Sequence, residues 1–299
     1  MRILRHRGRT LRTVAMCTIT EWFEHRDSSK GAALAFYTAF SIAPILVLVI
    51  AIAGLFYGQQ AAQGELFEQL RGLMGARGAE ALQAILAGAR NHVDGMWATL
   101  IAGILLLFGA TTVFAELKAS LDEIWQLPPL TKGSLWDTIR TRLLSFGMVL
   151  VLGFLLLVSL VVSAVLSVVE KFWQGHWSNT TMLLTGLNWV ISFMVIAAMF
   201  GVIYKMLPRI KLSWRDVVIG ALGTAALFTL GKYAIGAYIG NSGVADSFGA
   251  AGSLIALLLW VYYSAQIFFL GAEFARQYAL QIGSLKHHPR DEHGELKMG

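Results

Sequence analysis

Charged side chains are scarce in this sequence. Asp, Glu, Lys and Arg make up 14% of its 299 residues, while hydrophobic residues make up 56%. An ordinary globular chain has roughly 25% charged and roughly 45–50% apolar residues. Eighteen acids and 24 bases are too few to cover a soluble protein of this length, because soluble surfaces depend on those four residue types. The composition argues against a soluble enzyme.

Cysteine is even rarer, since Cys17 is the single thiol in the chain. One thiol excludes an internal disulfide framework and any zinc site built from several thiolates. The seven histidines include no pair at the helical spacing of a zinc site with a carboxylate nearby. A nucleophile elbow and a phosphate-binding glycine loop are also missing. We therefore expect neither an enzyme nor a bound cofactor or metal.

Long uncharged intervals are what the sequence has in abundance. A helix needs about 20 apolar residues to cross the hydrocarbon core of a bilayer. Six such intervals predict an all-α integral membrane protein, a bundle of six transmembrane helices. The predicted spans are residues 33–56, 96–116, 142–168, 183–206, 215–239 and 249–274.

The basic residues lie mainly on one side of these spans. Nineteen of the 24 fall in the N-terminal segment, in the loops after the second and fourth spans, and in the tail, and four fall on the other side. Because Lys and Arg favour cytoplasmic loops, both termini are predicted to be cytoplasmic. The same distribution explains the net charge of +6 without nucleic acid as a partner.

Three regions follow along the chain. Residues 1–30 form a basic N-terminal segment, in which 11–26 is an amphipathic helix, either on the inner leaflet or packed under the bundle. Residues 31–280 form the transmembrane domain. Apolar periodicity on both sides of a glycine-rich stretch predicts an outer helical hairpin at about 57–95. Residues 281–299 are polar and predicted to be a disordered cytoplasmic tail.

Ionisable residues at or within the spans are the first candidates for substrate binding, because charge in hydrocarbon is costly. Lys232 either snorkels to the outer interface, pairs with Asp246, or contacts an anionic substrate. Glu116 and Glu273 lie at the inner ends of the second and sixth spans, where they either anchor the interface or face cations in a central vestibule. The candidate cations are Arg142, Lys205 and Arg209.

Polar and kinked positions form a second set of candidates. Ser159 and Ser163 belong to a stripe on the third span that serves either packing or a permeation path. Pro44 predicts a kink in the first span, either a static bend or a gate. Other hydrogen-bonding groups in the apolar spans are expected to face protein or a water-filled cavity. They are Tyr37, Asn188, Tyr204, Tyr262, Tyr263 and Gln266.

Several segments carry a family resemblance. They are Ala33–Tyr37 running to Pro44, Leu106–Ala110 with Phe114–Leu117, Arg142–Phe146, Tyr204–Pro208, Trp214–Val217, Gly249–Ser253, Leu259–Gln266 and Gly271–Glu273. At these residues the chain resembles the YihY/BrkB family of bacterial inner-membrane proteins, over about residues 20–280. The resemblance implies six membrane helices and a cytoplasmic N-terminus.

Members of that family have been described as envelope or virulence factors, linked to serum resistance and to export of lipid A precursors. An older description as a ribonuclease does not fit this sequence, because it offers no acid–base pair or metal cluster for RNA cleavage. The resemblance supplies no catalytic residues.

The leading hypothesis is a translocator or export factor for an anionic lipid or another envelope component. Cytoplasmic cations attract phosphate headgroups, so anionic membrane lipids are the expected partners. A noncatalytic scaffold for envelope proteins and a channel for small solutes or ions are the alternatives. Whether the chain binds protein partners or forms a homo-oligomer is left open.

Overall fold

A computed structural model describes residues 2–90, 112–127, 178–210, 212–241 and 252–286, together with positions 143, 147, 151 and 155. Every regular element within these ranges is a helix, in agreement with the predicted all-α class. The helices are α1 Arg2–Glu24, α2 Asp27–Tyr57, α3 Gln59–Arg90, α4 at residues 112–124, α5 Ser178–Met206, α6 Trp214–Asn241 and α7 Gly252–Gln281.

Three helices in the described part of the chain are long and apolar enough to cross a membrane. Their apolar windows are Trp189–Met206 in α5, Trp214–Ile239 in α6 and Leu254–Gln281 in α7. They coincide with the predicted spans 183–206, 215–239 and 249–274. Helix α2 covers the predicted span 33–56. Most of 96–116 and of 142–168 lies outside the described residues.

Exposed apolar side chains are common on these helices. Leu230 of α6 is 71% exposed, and Phe40 and Leu55 of α2 are 70% and 83% exposed. Soluble monomers rarely present so many large apolar groups to water. In a membrane protein the same side chains face lipid at no cost, and the chain is accordingly a membrane protein.

Helix α7 lies at the centre of the described bundle and contacts α1, α2, α3 and α6. Its contact with α6 depends on two glycines. A Cβ on Gly271 would collide with the hydroxyls of Thr224 and Tyr204, and one on Gly220 would lie 2.5 Å from the Cβ of Ala275. Small residues at such positions let helix backbones approach closely.

A buried hydroxyl fastens α5 to this pair of helices. Tyr204 donates to the backbone oxygen of Phe268 at 2.7 Å, and its hydroxyl lies 3.0 Å from that of Thr224. Tyr204 is 2% exposed. The prediction that this tyrosine turns toward protein is confirmed.

Helix α1 packs against α7 and α2. Val14 is fully buried and Thr18 is 4% exposed, whereas Ile19 and Phe23 are 53% and 68% exposed. The segment predicted at 11–26 is thus packed on the bundle along one face and keeps apolar side chains on another. Arg26, with a φ of 53° in the left-handed region, turns the chain from α1 into α2.

Residues 59–90 differ from the hairpin predicted at about 57–95. One helix, α3, runs from Gln59 to Arg90 without a break. Glycine lowers helix propensity by about 1 kcal/mol but does not by itself end a helix. Phe67 and Leu82, on either side of the glycines, are buried in a cluster with residues of α2 and α7, and this burial offsets the weak local propensity.

Candidate functional site

Charged side chains concentrate at one end of the bundle, the basic end, where α1, α4, α5 and α7 end and α2 and α6 begin. Helix α4 ends there with Gln126 at a φ of 50° and a backbone bond from Leu127 to Asp122 of 2.9 Å. This ending lies just before the Pro128–Pro129 pair in the sequence. The basic end therefore brings together helix termini that are far apart along the chain.

Four residues of α1 and α7, with the turn after α1, form the central network of this end. Nδ1 of His25 lies 2.5 Å from Oε1 of Glu273, and Arg276 donates to Oε2 of Glu21 at 2.5 Å. The Glu273 side chain is fully buried, and those of His25 and Arg276 are 16% and 7% exposed. Two acids thus face two groups able to carry positive charge. Buried charges are tolerated when they are paired in this way.

A second pair adjoins the network at the start of α2. Lys30 contacts Oδ1 of Asp27 at 3.0 Å and Oε1 of Glu123 at 3.3 Å. Asp27 is fully buried in the first turn of α2, where a carboxylate is favourable to the helix dipole. These contacts join α2 to the end of α4.

The environment shifts the pKa of two groups that lie outside the membrane spans. The hydrogen bond that His25 donates to Glu273 raises the pKa of His25 above its usual 6.5, against the opposing effect of burial. Burial raises the pKa of the Asp27 carboxyl, and the hydrogen bond from Lys30 only partly opposes this. The acidic partner therefore favours the charged form of the His25 imidazole.

The types of residue in this network raise the question of a metal. Ligand atoms of Glu21, His25 and Glu273 all lie within 4.8 Å of one another. However, Glu273 approaches Nδ1 of the imidazole, whereas Glu21 lies 3.6 Å from Nε2. One ion binds only one of these nitrogens, and Arg276 already pairs with Glu21. The donor set fits an ion-pair network better than a metal site.

A separate cluster lies where α4 meets the segment after α5. Asp122 accepts from the backbone and the side chain of Arg209 at 3.0 and 2.8 Å, and from Lys118 at 2.9 Å. Lys205 donates to the backbone oxygen of Leu212 and lies 5.3 Å from the ring centroid of Trp214. Lys205 and Arg209 therefore bind groups other than Glu116 and Glu273, the partners considered for them in the sequence.

The start of α6 is tied to the end of α7 by a third polar contact. Oδ2 of Asp216 accepts from the backbone and the hydroxyl of Ser284 at 3.0 and 2.5 Å. Asp216 is 2% exposed. This contact completes a polar layer that closes the basic end.

An apolar groove opens on the side of the bundle between α1, α6 and α7. Its volume is about 520 Å³, and its walls are Ile19, Trp22 and Phe23 of α1, four residues of α6 between Leu227 and Ala234, and four of α7 between Tyr263 and Leu270. The α6 and α7 walls lie inside the apolar windows of those helices. Along α7, Gln266 is seven residues before Glu273, or roughly 10 Å.

Two polar atoms on groove-lining residues are buried and have no hydrogen-bond partner. They are the indole Nε1 of Trp22 and the side-chain Oε1 of Gln266. The other end of the Gln266 amide donates to the backbone oxygen of Ser28 at 3.4 Å. Both atoms are buried within the wall of the groove and are not open to its interior.

The structure places the other predicted residues apart from this site. Lys232 is half-buried in α6, 5.2 Å from the ring centroid of Tyr233, and Glu116 is half-buried in α4. Pro44 lies within α2, whose backbone is helical on both sides of it. Arg142, Ser159, Ser163 and Asp246 lie outside the described residues, as does the tail beyond 286.

Sequence reasoning found Glu273 but missed its partners. The main partner missed is His25, which reaches Glu273 across 248 positions. Two local signals were available, because Glu21 and His25 are four residues apart and Glu273 and Arg276 are three apart. Such spacings bring side chains onto one helix face.

Comparison with known proteins places the chain among membrane proteins. The family model of the virulence factor BrkB matches residues 18–294. A UPF0761 membrane protein of Alcanivorax borkumensis is 24% identical over 278 residues, covering 90% of this chain and 61% of that protein. One of Paraburkholderia xenovorans is 26% identical over 294 residues, covering 96% of this chain and 64% of that protein.

A third relative matches a shorter stretch. A UPF0761 membrane protein of Tolumonas auensis is 28% identical over 177 residues, covering 59% of this chain and 56% of that protein. The chain spans about three fifths of the length of these relatives. No solved structure matches the chain.

Proposed function

Because the chain belongs to the family of the virulence factor BrkB, we propose that it is a translocator for an anionic lipid or a related envelope component. In this proposal the protein lies in the bacterial inner membrane, and the basic end faces the cytoplasm. The distribution of Lys and Arg along the sequence supports that orientation.

The observation that carries the proposal is the apolar groove on the membrane side of α6 and α7, next to the basic end. A lipid that moves between leaflets needs a surface for its chains and a polar region for its headgroup. The groove supplies the surface for the chains. Its volume is about 520 Å³, within the roughly 300–1,000 Å³ typical of ligand sites.

Cations at the basic end supply the polar region for the headgroup. Arg26 and Arg215 have exposed side chains, Arg26 between α1 and α2 and Arg215 in the first turn of α6. Guanidinium groups bind phosphate oxygens through paired hydrogen bonds. An anionic headgroup is therefore favoured at the basic end over a zwitterionic one.

Reconstitution into liposomes tests this function. Vesicles with the purified protein receive a fluorescent phosphatidylglycerol or phosphatidylcholine, and loss of outer-leaflet fluorescence to a quencher gives the rate of transbilayer movement. We expect the protein to accelerate the anionic lipid more than the zwitterionic one. Rates equal to those of empty vesicles, across several lipid compositions and ion gradients, would rule out the proposal.

A pair of matched substitutions locates the path. Ala234 lines the groove, whereas Ala226 is exposed on the same helix and does not. Ala234→Phe fills the groove and should slow movement at least about tenfold if the lipid passes through it, which corresponds to about 1.4 kcal/mol. Ala226→Phe adds the same ring elsewhere and should leave the rate unchanged.

A further inference from the structure

The central network and the pair that adjoins it hold three acids but only two side chains that are positive throughout the neutral range. The acids are Glu21, Asp27 and Glu273, and the two cations are Lys30 and Arg276. Glu123, which also contacts Lys30, is 65% exposed, so water screens its charge. The third positive charge that balances the acids is therefore the proton on His25.

The His25 ring joins helices that are far apart in the sequence. Its Nδ1 lies 2.5 Å from Oε1 of Glu273 on α7, and its Nε2 lies 3.6 Å from Glu21 on α1 and 3.3 Å from the side-chain nitrogen of Gln126 after α4. The other charged groups that act on the ring are Asp27 of α2 and Arg276 of α7. The protonated ring donates from both nitrogens, whereas the neutral ring donates from only one of them.

The two buried acids have few other donors to compensate for a lost proton. Among the described residues, Oε2 of Glu273 and Oδ2 of Asp27 are buried without a hydrogen bond. Oε2 of Glu273 lies 3.8 Å from Arg276, too far for one. A buried carboxylate that loses its positive partner is costly. Loss of the proton therefore weakens the attachment of α1 to α7.

The position of α1 links this attachment to the groove. Three side chains of α1 form one wall of the groove, and the same helix ends at Glu24, just before the network. Helix α2 begins at Asp27, and Arg26 between the two helices has a left-handed φ of 53°. Residues at the ends of elements serve as hinges because they absorb a rotation without breaking a helix. A rotation of α1 about Arg26 moves one wall of the groove.

We propose that His25 is a proton-binding switch that controls access to the groove. With the proton bound, α1 is fastened to α7 and closes the groove on one side. When the proton leaves, α1 turns about Arg26 and the groove opens toward lipid. In the proposed orientation the signal is the pH of the cytoplasm. The inference rests on the proposed function for the role of the groove, but the movement of α1 is measured without any lipid transport.

Pulsed electron paramagnetic resonance, which gives the distance between two spin labels, tests this movement. In the full chain with Cys17→Ser, one label is attached at Thr20→Cys on α1 and the other at Glu80→Cys on α3, both at exposed positions. The protein is held in nanodiscs of phosphatidylcholine and phosphatidylglycerol. We expect one distance at pH 6 and a second distance whose population is about tenfold larger at pH 9. That ratio corresponds to about 1.4 kcal/mol, the order by which a charge-assisted hydrogen bond exceeds a neutral one.

A matched label pair and two variants identify the moving helix and the titrating group. In the control pair Ala226→Cys, exposed on α6, replaces Thr20→Cys, and its distance to α3 should not change with pH. His25→Gln is never charged and should show the second distance at both pH values. Glu21→Gln removes an acid that favours the protonated ring and should move the midpoint to lower pH. Circular dichroism and gel filtration check that each variant keeps its fold.

Several outcomes would overturn the inference. A wild-type distance that is the same at every pH would refute the switch. An unchanged pH dependence in His25→Gln would assign the titration to another group. An equal change in the control pair would mean that the whole bundle responds. A pH-dependent distance without transbilayer movement in the liposome assay would support the switch and refute translocation, and movement with a constant distance would do the reverse.

Discussion

The central network and the groove share α1 and α7 and lie roughly 10 Å apart along α7, yet they differ in charge and in the number of contacts between helices. In the network, Glu273 and Arg276 are buried and paired with His25 and Glu21, although Oε2 of Glu273 makes no hydrogen bond and lies 3.8 Å from Arg276. In the groove, polar atoms of Trp22 and Gln266 are buried without partners. Ion pairs between helices are typical of a structural contact, whereas an open apolar groove is typical of a surface that binds lipid or another apolar ligand.

This difference assigns separate tasks to the two regions. The network fixes the end of α1 to α7 and so holds one wall of the groove in place. The groove is left open because its walls meet lipid, where exposed apolar side chains carry no penalty. Substitutions in the network should therefore lower stability first, and substitutions in the groove should change ligand binding first.

The largest effect is expected for Glu273→Gln. The amide removes the charge that faces His25 and lies 3.8 Å from Arg276. A buried hydrogen bond between charged groups contributes about 2–3 kcal/mol, and removing one partner leaves the other buried. The free energy of unfolding in detergent should fall by about that amount. Glu80→Gln, on the exposed surface of α3, is the matched control and should change little.

A loss that is equal in the two variants would contradict a special role for the network. It would mean that the free energy lost on replacing a carboxylate does not depend on its burial. A loss confined to Glu273→Gln would set the network apart as the stabilising region.

The change of stability with pH should be smaller than the loss in Glu273→Gln, and it should depend on His25. Its folded-state pKa is raised above the usual 6.5 by the hydrogen bond that it donates to Glu273. A raised pKa gives stability that is fully present below about pH 6.5 and is lost as the pH rises through the folded-state value. Thermal unfolding between pH 6 and 9 should show this loss in the wild type and a flatter profile in His25→Gln.

Asp27 also contributes stability that is lost as the pH rises, but it does so at lower pH. Its pKa is also raised, by burial, so its contribution begins to fall in the acid range above its ordinary value near 4. A wild-type profile parallel to that of His25→Gln above pH 6.5 would show that the imidazole is not the titrating group.

In the groove, Gln266→Leu should have little effect on stability. The change removes an unpaired buried oxygen, which is favourable, and one long hydrogen bond of 3.4 Å to Ser28, which is unfavourable. The two effects nearly cancel, and the unfolding free energy should stay within about 1 kcal/mol of the wild type. A loss of the size expected for Glu273→Gln would show that the Gln266 oxygen has a partner in the folded protein and would abolish the contrast between the two regions.

The membrane helices were predictable from sequence because their signal is local. Uncharged intervals mark α2, α5, α6 and α7 to within a few residues at most ends, although α7 extends seven residues past the predicted 274. Pro128 and Pro208 likewise follow the ends of α4 and α5 closely. Apolar length and helix-ending residues act within a few turns of the chain, so one sequence suffices to read them.

The site was much less predictable because its contacts join distant segments. Glu273 stood out as an acid at a helix end, but neither hydropathy nor spacing indicates that His25 is its partner. Lys205 and Arg209 were grouped with Glu273 by their shared side of the membrane, which does not specify contact. The continuous α3 shows the same limit, since burial of Phe67 and Leu82 against other helices overrides its glycine-rich middle.

The smallest effect on the unfolding free energy is expected for Arg71→Ala on α3. This variant tests whether burial sets the size of the larger effects. Arg71 lies 3.3 Å from Glu68, and the two side chains are 55% and 68% exposed. Exposed pairs gain little because water screens the charges and two long side chains must be ordered. Alanine also has the better helix propensity, so the unfolding free energy should change by less than about 0.5 kcal/mol. If Arg71→Ala costs as much as Glu273→Gln in the same detergent, charge rather than burial sets the cost, and the network loses its distinction from the rest of the protein.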